Sequence, residues 1–307
     1  MREYVLTVDE ESDGLRVDKY LSVQLSDMSR SYIQKIIDGN LVTVNEKICK
    51  SSTKIACDDT VKLVVDDCES ANIVAENIPL EILYEDEDVI VVNKPKNMVV
   101  HPAPGHYTGT LVNALLYHCQ DNLSGINGVL RPGIVHRIDR DTTGSVIACK
   151  NDHAHACISE QLKNHSIKRE YVAVVIGNIN DEEGIIDTMI GRSPQDRKKM
   201  SIHPASAGKR AITHYKVIKR YKGYTYISLR LETGRTHQIR VHMSSIGHPI
   251  VGDEVYGNAK SPIKLNGQAL HAKTLGFVHP NGTYIETDAP LFEEFNKLLN
   301  YLNNNCT

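Results

Sequence analysis

No stretch of this sequence carries the roughly 18 uninterrupted apolar residues that a bilayer-spanning helix needs, which argues against a membrane protein. The opening MREYVLTVDEESDG lacks a basic segment followed by an apolar one and a small-residue cleavage site. Export is therefore not indicated, and the expected location is cytoplasmic. The seven cysteines (Cys49, Cys57, Cys68, Cys119, Cys149, Cys157, Cys306) are scattered, odd in number and never spaced C-x-x-C. That argues against a disulfide framework or a zinc knuckle and for reduced structural thiols. Also missing are G-x-G-x-x-G, G-x-x-x-x-G-K-[ST] and H-E-x-x-H, so dinucleotide binding, P-loop phosphoryl transfer and zincin chemistry lose their usual support. A reaction that needs no cofactor gains weight. Asp152, His153 and His155 could suggest a metal pair, but they open an amphipathic helical pattern, and no metal site is expected.

What is present is a globular composition, 41% apolar and 24% charged over 307 residues, enough for one sizeable catalytic domain and a small appended one. The net charge of −3 becomes informative once it is partitioned. Residues 66–88 hold nine acidic side chains and no Lys or Arg, and residues 1–65 are weakly acidic. Residues 89–307 therefore hold 26 Lys and Arg against 18 Asp and Glu, and Arg192 to Lys222 alone has ten basic residues against Asp196. A polyanionic partner fits this distribution, and so does a solvated charged face.

Along the chain, Leu15, Val17, Tyr20 and Leu21 begin one helical pattern, and Tyr32, Ile33, Ile36 and Ile37, ended by Gly39, form a second. Short β-branched strands follow at Leu41 to Asn45 and Asp59 to Val64. The expected organisation is a small unit over residues 14–65, an acidic linker over 66–80 and a larger domain over 81–303. In the larger domain Val89 to Lys94, closed by Pro95, reads as a buried strand, with further strands at Val146–Cys149, Glu170–Ile176, Thr213–Ile218 and Tyr224–Leu231. Helices are expected near Leu111–Cys119, His153–Asn164, Thr236–Ser245 and Leu291–Leu299. The short turn at Tyr221 to Gly223 implies antiparallel pairing, so the expected class is α+β, a mixed and mainly antiparallel sheet with flanking helices.

Polar residues concentrate in Pro132-Gly133-Ile134-Val135-His136-Arg137-Ile138-Asp139-Arg140-Asp141-Thr142-Thr143-Gly144, between apolar stretches, as expected of a loop held by core on both sides. Taken alone, Asp139 could be a functional carboxylate, an Asx-turn residue or an ion-pair partner, and local chemistry does not separate these.

His136-Arg137-Ile138-Asp139 followed by Thr142-Thr143-Gly144 resembles the catalytic signature of the RluA/RluD-type pseudouridine synthases. Lys168-Arg169-Glu170-Tyr171 lies where that family places its active-site tyrosine, and Leu231-Glu232-Thr233-Gly234-Arg235-Thr236-His237-Gln238-Ile239-Arg240-Val241-His242 resembles its third motif. The N-terminal segments G-L-R-V-D-K-Y-L and S-R-S-Y-I-Q-K-I-I-D-G-N-L-V-T-V-N resemble the small S-four-type RNA-binding domain. The resemblance implies an RNA isomerase with the pseudouridine synthase fold. On that resemblance Asp139 is expected to be the catalytic carboxylate, Arg240 to pair bidentately with it, Tyr171 to stack on the uracil, and Arg137 to help expel or replace the flipped base. Read on a helix, Arg240 shares a face with Thr236 and His237. His136, His237 and His242 are expected to hydrogen-bond or to contact phosphate. Arg30, Lys35, Lys50 and Lys54 are the expected phosphate contacts of the small domain. The expected substrate is large-subunit ribosomal RNA, with transfer RNA, a non-catalytic ribosome-assembly role and an Asp139/His136 hydrolase as rivals, and the default state is a monomer.

Overall fold

Side chains point alternately to the core and to solvent along Arg2–Thr7 (β1) and Thr60–Val65 (β4) of the N-terminal sheet: Val61 and Leu63 are fully buried while Glu3, Val5 and Lys62 face solvent. Between these strands come α1 (Val17–Gln24), α2 (Arg30–Asp38), β2 (Val42–Val44) and β3 (Lys47–Ile48), and the all-antiparallel sheet has the order β1-β4-β2-β3. The computed structural model describes residues 2–25, 30–65, 73–102, 106–120, 122–126, 131–196, 199–204, 207–257 and 261–306; the side chains of Arg2, Arg30, Ser31, Tyr32, Lys35 and Val65 lie outside that description. The chain divides into two units, Met1–Asn72 and Ile73–Thr307.

In the first unit Tyr20 and Leu21 of α1 and Ile33, Ile36 and Ile37 of α2 pack with Val42, Val61 and Leu63 of the sheet. Asp18 is wholly buried and accepts from Arg16 Nε at 3.0 Å and Gln34 Nε2 at 2.9 Å, so a carboxylate fastens α1 to α2. Asn45 and Glu46 both take positive φ, 48° and 64°, the two-residue turn whose twist suits a hairpin. That turn puts Lys47 on β3 and leads to Lys50 and Lys54, all three exposed. β1 lies ahead of Gly14, so this unit begins earlier than the helical pattern suggests.

The second unit holds β5 (Ile82–Glu85), β6 (Val89–Lys94), α3 (Leu111–Cys119), β7 (Thr143–Cys149), α4 (Asp152–Lys163), β8 (Lys168–Ile176), β9 (Glu183–Arg192), β10 (Met200–His203), β11 (Lys209–Tyr221), β12 (Tyr224–Leu231), α5 (Gln238–Ser245), β13 (Leu270–Val278), β14 (Tyr284–Asp288) and α6 (Glu293–Asn305). Its sheet runs β10-β9-β11-β12-β8-β13-β7-β6-β5, with β14 also on β13; every pairing is antiparallel except β13 with β7. This is the mixed, mainly antiparallel α+β arrangement. The uninterrupted apolar run of β6 arises because its two faces feed different cores. Ile90 and Val92 join Leu111, Leu115 and Leu298 on one side, and Val89 and Val91 join Ile147, Ala154, Ile158 and Phe277 on the other. Residues 73–80 differ from the linker expected there. Val74 and Glu76 bond Asn113 of α3, and Ile73, Ile78 and Leu80 lie against the core, so apolar spacing inside an acidic stretch ties it down.

The parallel junction of β7 with β13 bears directly on the loop before β7. Thr143 and Gly144 pair with His271 and Ala272 at such close range that a Cβ on Gly144, whose φ is 111°, would meet the Ala272 carbonyl oxygen at 2.2 Å. Beside it the buried His271 accepts the Thr143 hydroxyl on Nδ1 at 2.7 Å and donates from Nε2 to the Ala289 carbonyl at 3.2 Å, a neutral tautomer with both nitrogens used. Burial above all pushes this imidazole down to about 4, against the weaker pull of the Ala289 carbonyl. The unfolded chain therefore binds a proton near pH 6.5 that the folded chain refuses until about pH 4. Stability present above pH 6.5 is lost as pH falls through that window, by up to about 3 kcal/mol from this side chain. Urea unfolding at pH 7.5 and pH 5 checks it: His271→Gln is expected to lose roughly 2 kcal/mol less than the wild type on acidification. Equal losses would place the acid sensitivity elsewhere.

Candidate active site

The segment Pro132–Thr142 is pinned at several points. Gly133 exchanges backbone bonds with Ser124 and Cys149, at 2.7 and 2.8 Å, and Ile134 and Ile138 are buried. His136 Nε2 accepts the Ile147 backbone N–H at 3.0 Å, standing in for a neighbouring strand where β13 no longer pairs with β7. Burial, then the nearby Arg169 charge, push this imidazole down to about 3, so His136 is a neutral peg and no proton acceptor for the cleft. Lys94, fully buried at the end of β6, donates to the carbonyls of Pro95, Met98 and Arg140 at 2.7, 2.8 and 3.0 Å. Burial pulls its ammonium down to about 7, against the charges of Asp141 and Asp139. Three carbonyl acceptors nevertheless match the three N–H bonds of the ammonium form, and the bond to Arg140 fixes the backbone next to Asp139. Gln268 Nε2 holds the Thr142 hydroxyl at 3.0 Å, and the Thr142 N–H closes a turn onto the Asp139 carbonyl at 3.1 Å.

The opposite wall comes from the loop after β12 and from α5. Gln238 gathers this loop: its side-chain oxygen accepts from Thr233 Oγ1 and the Arg235 N–H, and its amide donates to Ile212 and Thr213, all within 3.0 Å. The helix starts at Gln238 because His237 takes a left-handed backbone, φ 57°. Thr236 and His237 consequently do not share a helical face with Arg240, a correction to the sequence reading. Arg240 lies between two carboxylates. It donates from Nη1 to Asp139 Oδ2 at 3.0 Å, and from Nε and Nη2 to the two oxygens of Asp253 at 2.7 and 3.0 Å. The bidentate partner is thus Asp253, with Asp139 held by a single bond, where the sequence reading expects the fork on Asp139. Burial alone would lower the Arg240 guanidinium, but the Asp253 bonds and the Asp139 charge outweigh it and hold the group above its ordinary value. Asp253, fully buried, also accepts from the Val255 and Tyr256 amides at 2.9 and 3.0 Å. These bonds and Arg240 overcome the desolvation that would raise it and keep its carboxyl below the usual range.

Tyr256 orients the remaining neighbour. Its hydroxyl accepts the Met200 N–H at 2.8 Å, so its own proton goes to His237 Nδ1, also at 2.8 Å. The neutral His237 then carries its hydrogen on Nε2, 3.9 Å from Asp139 Oδ2. The Arg240 and His237 contacts both fall on Oδ2, and among the described residues no hydrogen bond reaches Asp139 Oδ1. Tyr171, 8% exposed on β8, also lines the cleft. Burial raises its phenol, with Arg169 opposing, so the ring is presented neutral. The cleft measures about 550 Å³ and brings together Arg137, Asp139, Tyr171 and Arg240. Lys50 and Lys54 sit exposed in the other unit, and the side chains of Arg30 and Lys35 lie outside the described residues. Asp253, Tyr256 and Lys94 escaped the sequence reading, since an Asp, a Tyr or a Lys beside apolar residues carries no spacing signal of its own.

Residues 88–245 match the family described as RNA pseudouridylate synthase, and residues 15–61 match the S4 domain. The chain belongs to the RNA pseudouridylate synthase family. It is 49% identical to an uncharacterized RNA pseudouridine synthase, YlyB, of Bacillus subtilis, over 99% of this chain and 100% of that one. It is 44% identical to ribosomal large subunit pseudouridine synthase D of Zymomonas mobilis (97% and 96% covered) and 42% identical to the protein of that name from Escherichia coli (95% and 92%). In structure, human RNA pseudouridylate synthase domain containing 1 superposes with a TM-score of 0.58 at 24% identity, over 74% of this chain and 96% of that one, and shares the fold. This RNA pseudouridine synthase is accordingly an isomerase with an RNA substrate.

The shared guanidinium generates a stability ordering. Asp253→Asn is expected to cost about 3 kcal/mol in urea unfolding because it leaves Arg240 buried with half its compensation. Asp139→Asn, at the cleft surface with its side chain 18% exposed, is expected to cost less than about 1 kcal/mol. Equal costs would mean that Asp253 is not the main anchor of Arg240.

Proposed function

We propose that this synthase converts uridine to pseudouridine in large-subunit ribosomal RNA, in the cytoplasm and as a monomer, with Asp139 as the carboxylate that starts the reaction. The observation that carries the reading is the position of Asp139, on the cleft wall with one oxygen held by Arg240 and the other unbonded among the described residues, in the cleft that Tyr171 also lines. Ribosomal RNA is favoured by relatives named for the large subunit that match this chain at 41–44% identity over nearly its whole length, and by the N-terminal S4 match.

The isomerisation breaks the bond between the anomeric carbon of the ribose and the ring nitrogen of uracil, turns the base and rejoins it through carbon 5. It needs no oxidant or reductant. Asp139 Oδ1 is free to attack the sugar or the base, or to take a ribose proton, and all these routes start from the same carboxylate. Arg240 orients that carboxylate, Tyr171 supplies a flat neutral ring for the uracil, and the exposed Arg137, next but one to Asp139, takes the place of the base that leaves the stack.

Tritium at carbon 5 of uridine is lost when that carbon bonds to the sugar, which gives a direct assay. Wild type is expected to release tritium from unmodified large-subunit RNA, and Asp139→Ala and Asp139→Asn are not. Release from transfer RNA alone would replace the substrate; release by both variants would remove Asp139 from the chemistry. Replacing Lys50 and Lys54 together with Ala is expected to weaken RNA binding and to flatten the slope of log affinity against log salt by about 1 to 2 units, while the rate at saturating RNA is preserved. An unchanged slope would argue against this face of the N-terminal unit as a phosphate contact.

A further inference from the structure

Arg169 is a buried cation that no carboxylate answers among the described residues. It is 8% exposed, lines the cleft, and lies two residues before Tyr171 on β8, hence on the same face of the strand at a spacing of about 6.6 Å. Its Nε is buried without a hydrogen-bond partner, and its guanidinium makes one long bond, from Nη2 to the Glu232 carbonyl at 3.4 Å. Among the described residues it has no ion pair. A guanidinium has five N–H donors, and leaving it buried with its charge unanswered is unfavourable unless a ligand completes it. The chain also makes room for it. Gly234 lies outside the left-handed region, so its backbone does not demand glycine, yet a Cβ there would come 2.9 Å from Arg169 Nη1.

We propose that Arg169 is a catalytic residue, the cation that receives the negative charge of the detached uracil through a ring carbonyl oxygen. The proposal rests on the isomerisation described above. When the bond from the anomeric carbon to the ring nitrogen breaks, its electron pair leaves with the base, and the uracil becomes an anion delocalised over the ring nitrogen and both carbonyl oxygens. The same electrons form the new bond from carbon 5. The proton displaced from carbon 5 goes to solvent, and the ring nitrogen takes one up, so atoms and electrons balance. A base resting on Tyr171 has its edge within reach of a neighbour on the same strand face, and a pre-placed charge in a poorly solvated site acts on this anion more strongly than on neutral uridine. A backbone phosphate is the competing ligand. The enclosure of Arg169 favours the base, which enters the cleft, over the phosphates, which stay towards its mouth.

Single-turnover tritium release, RNA affinity and urea stability of Arg169→Met, Arg169→Lys and Gly234→Ala, measured with the same unmodified ribosomal RNA, separate these readings. Arg169→Met is expected to slow release by about 10² to 10³-fold with RNA affinity changed less than about threefold and the salt slope intact. Arg169→Lys should recover part of the rate, and Gly234→Ala, which crowds the guanidinium, should lose part. Stability should be unchanged or higher in Arg169→Met, since an unanswered buried charge is removed. A weakened affinity with a shallower salt slope and an unchanged saturated rate would assign Arg169 to a phosphate, and a large loss of stability would assign it to the fold; either overturns the proposal. Asp139→Asn in the same assay keeps the two ideas separate: if it releases tritium normally, the role of Asp139 fails whatever Arg169 does.

Discussion

One guanidinium shared by two carboxylates fixes the geometry on which the cleft depends. Asp253 supplies two of the three bonds that hold Arg240, and it can do so in full burial because two backbone amides satisfy it as well. Arg240 therefore reaches Asp139 already aligned, and Asp139 needs only one of its oxygens to be held. Had the fork closed on Asp139, both oxygens would be occupied and the carboxylate would be a structural ion pair. The 5.1 Å approach of the Arg240 guanidinium to the Tyr256 ring, and the Tyr256 hydroxyl on His237, extend the same constraint to the third neighbour of Asp139.

The sheet explains why the loop carrying Asp139 can be irregular and still rigid. It enters β7 at the parallel junction with β13, where Gly144 allows close approach, and β6 and β7 are packed on both faces. Lys94 and Gln268 then satisfy the Arg140 carbonyl and the Thr142 hydroxyl of the loop, and the loop's own His136 accepts the Ile147 amide of β7, which ties a stretch without helix or strand to the core.

The sequence revealed most where one physical pattern dominates. The all-apolar β6, the helical spacing of α2 and α3 and the short turn joining β11 to β12 could be read directly, and they were enough for the α+β class. β13 was not legible: His271, Lys273, Thr274 and Gly276 interrupt its apolar character, and only the long-range bonds of His271 show why a polar residue sits there. β9 and β10 carry Gly, Asp and Ser among their apolar residues and are absent from the strands expected from the sequence. In the site, motif resemblance led to Asp139, Tyr171 and Arg240, but local residue chemistry gave no access to Asp253, which lies 13 positions beyond Arg240 and meets it only after α5 and the following turn have formed. The helix start was misplaced for a similar reason, since nothing local announces the left-handed backbone of His237.

The double hold on Arg240 also bears on repetition. In the reaction proposed for Asp139, that carboxylate loses its charge for part of each cycle, by bonding to the nucleoside or by accepting a proton. An arginine held by Asp139 alone would then be released inside the protein and would have to be found again. With Asp253 keeping two of its three bonds, Arg240 would stay in register while its other partner is neutral, and the proposed site would emerge from each turnover already reset.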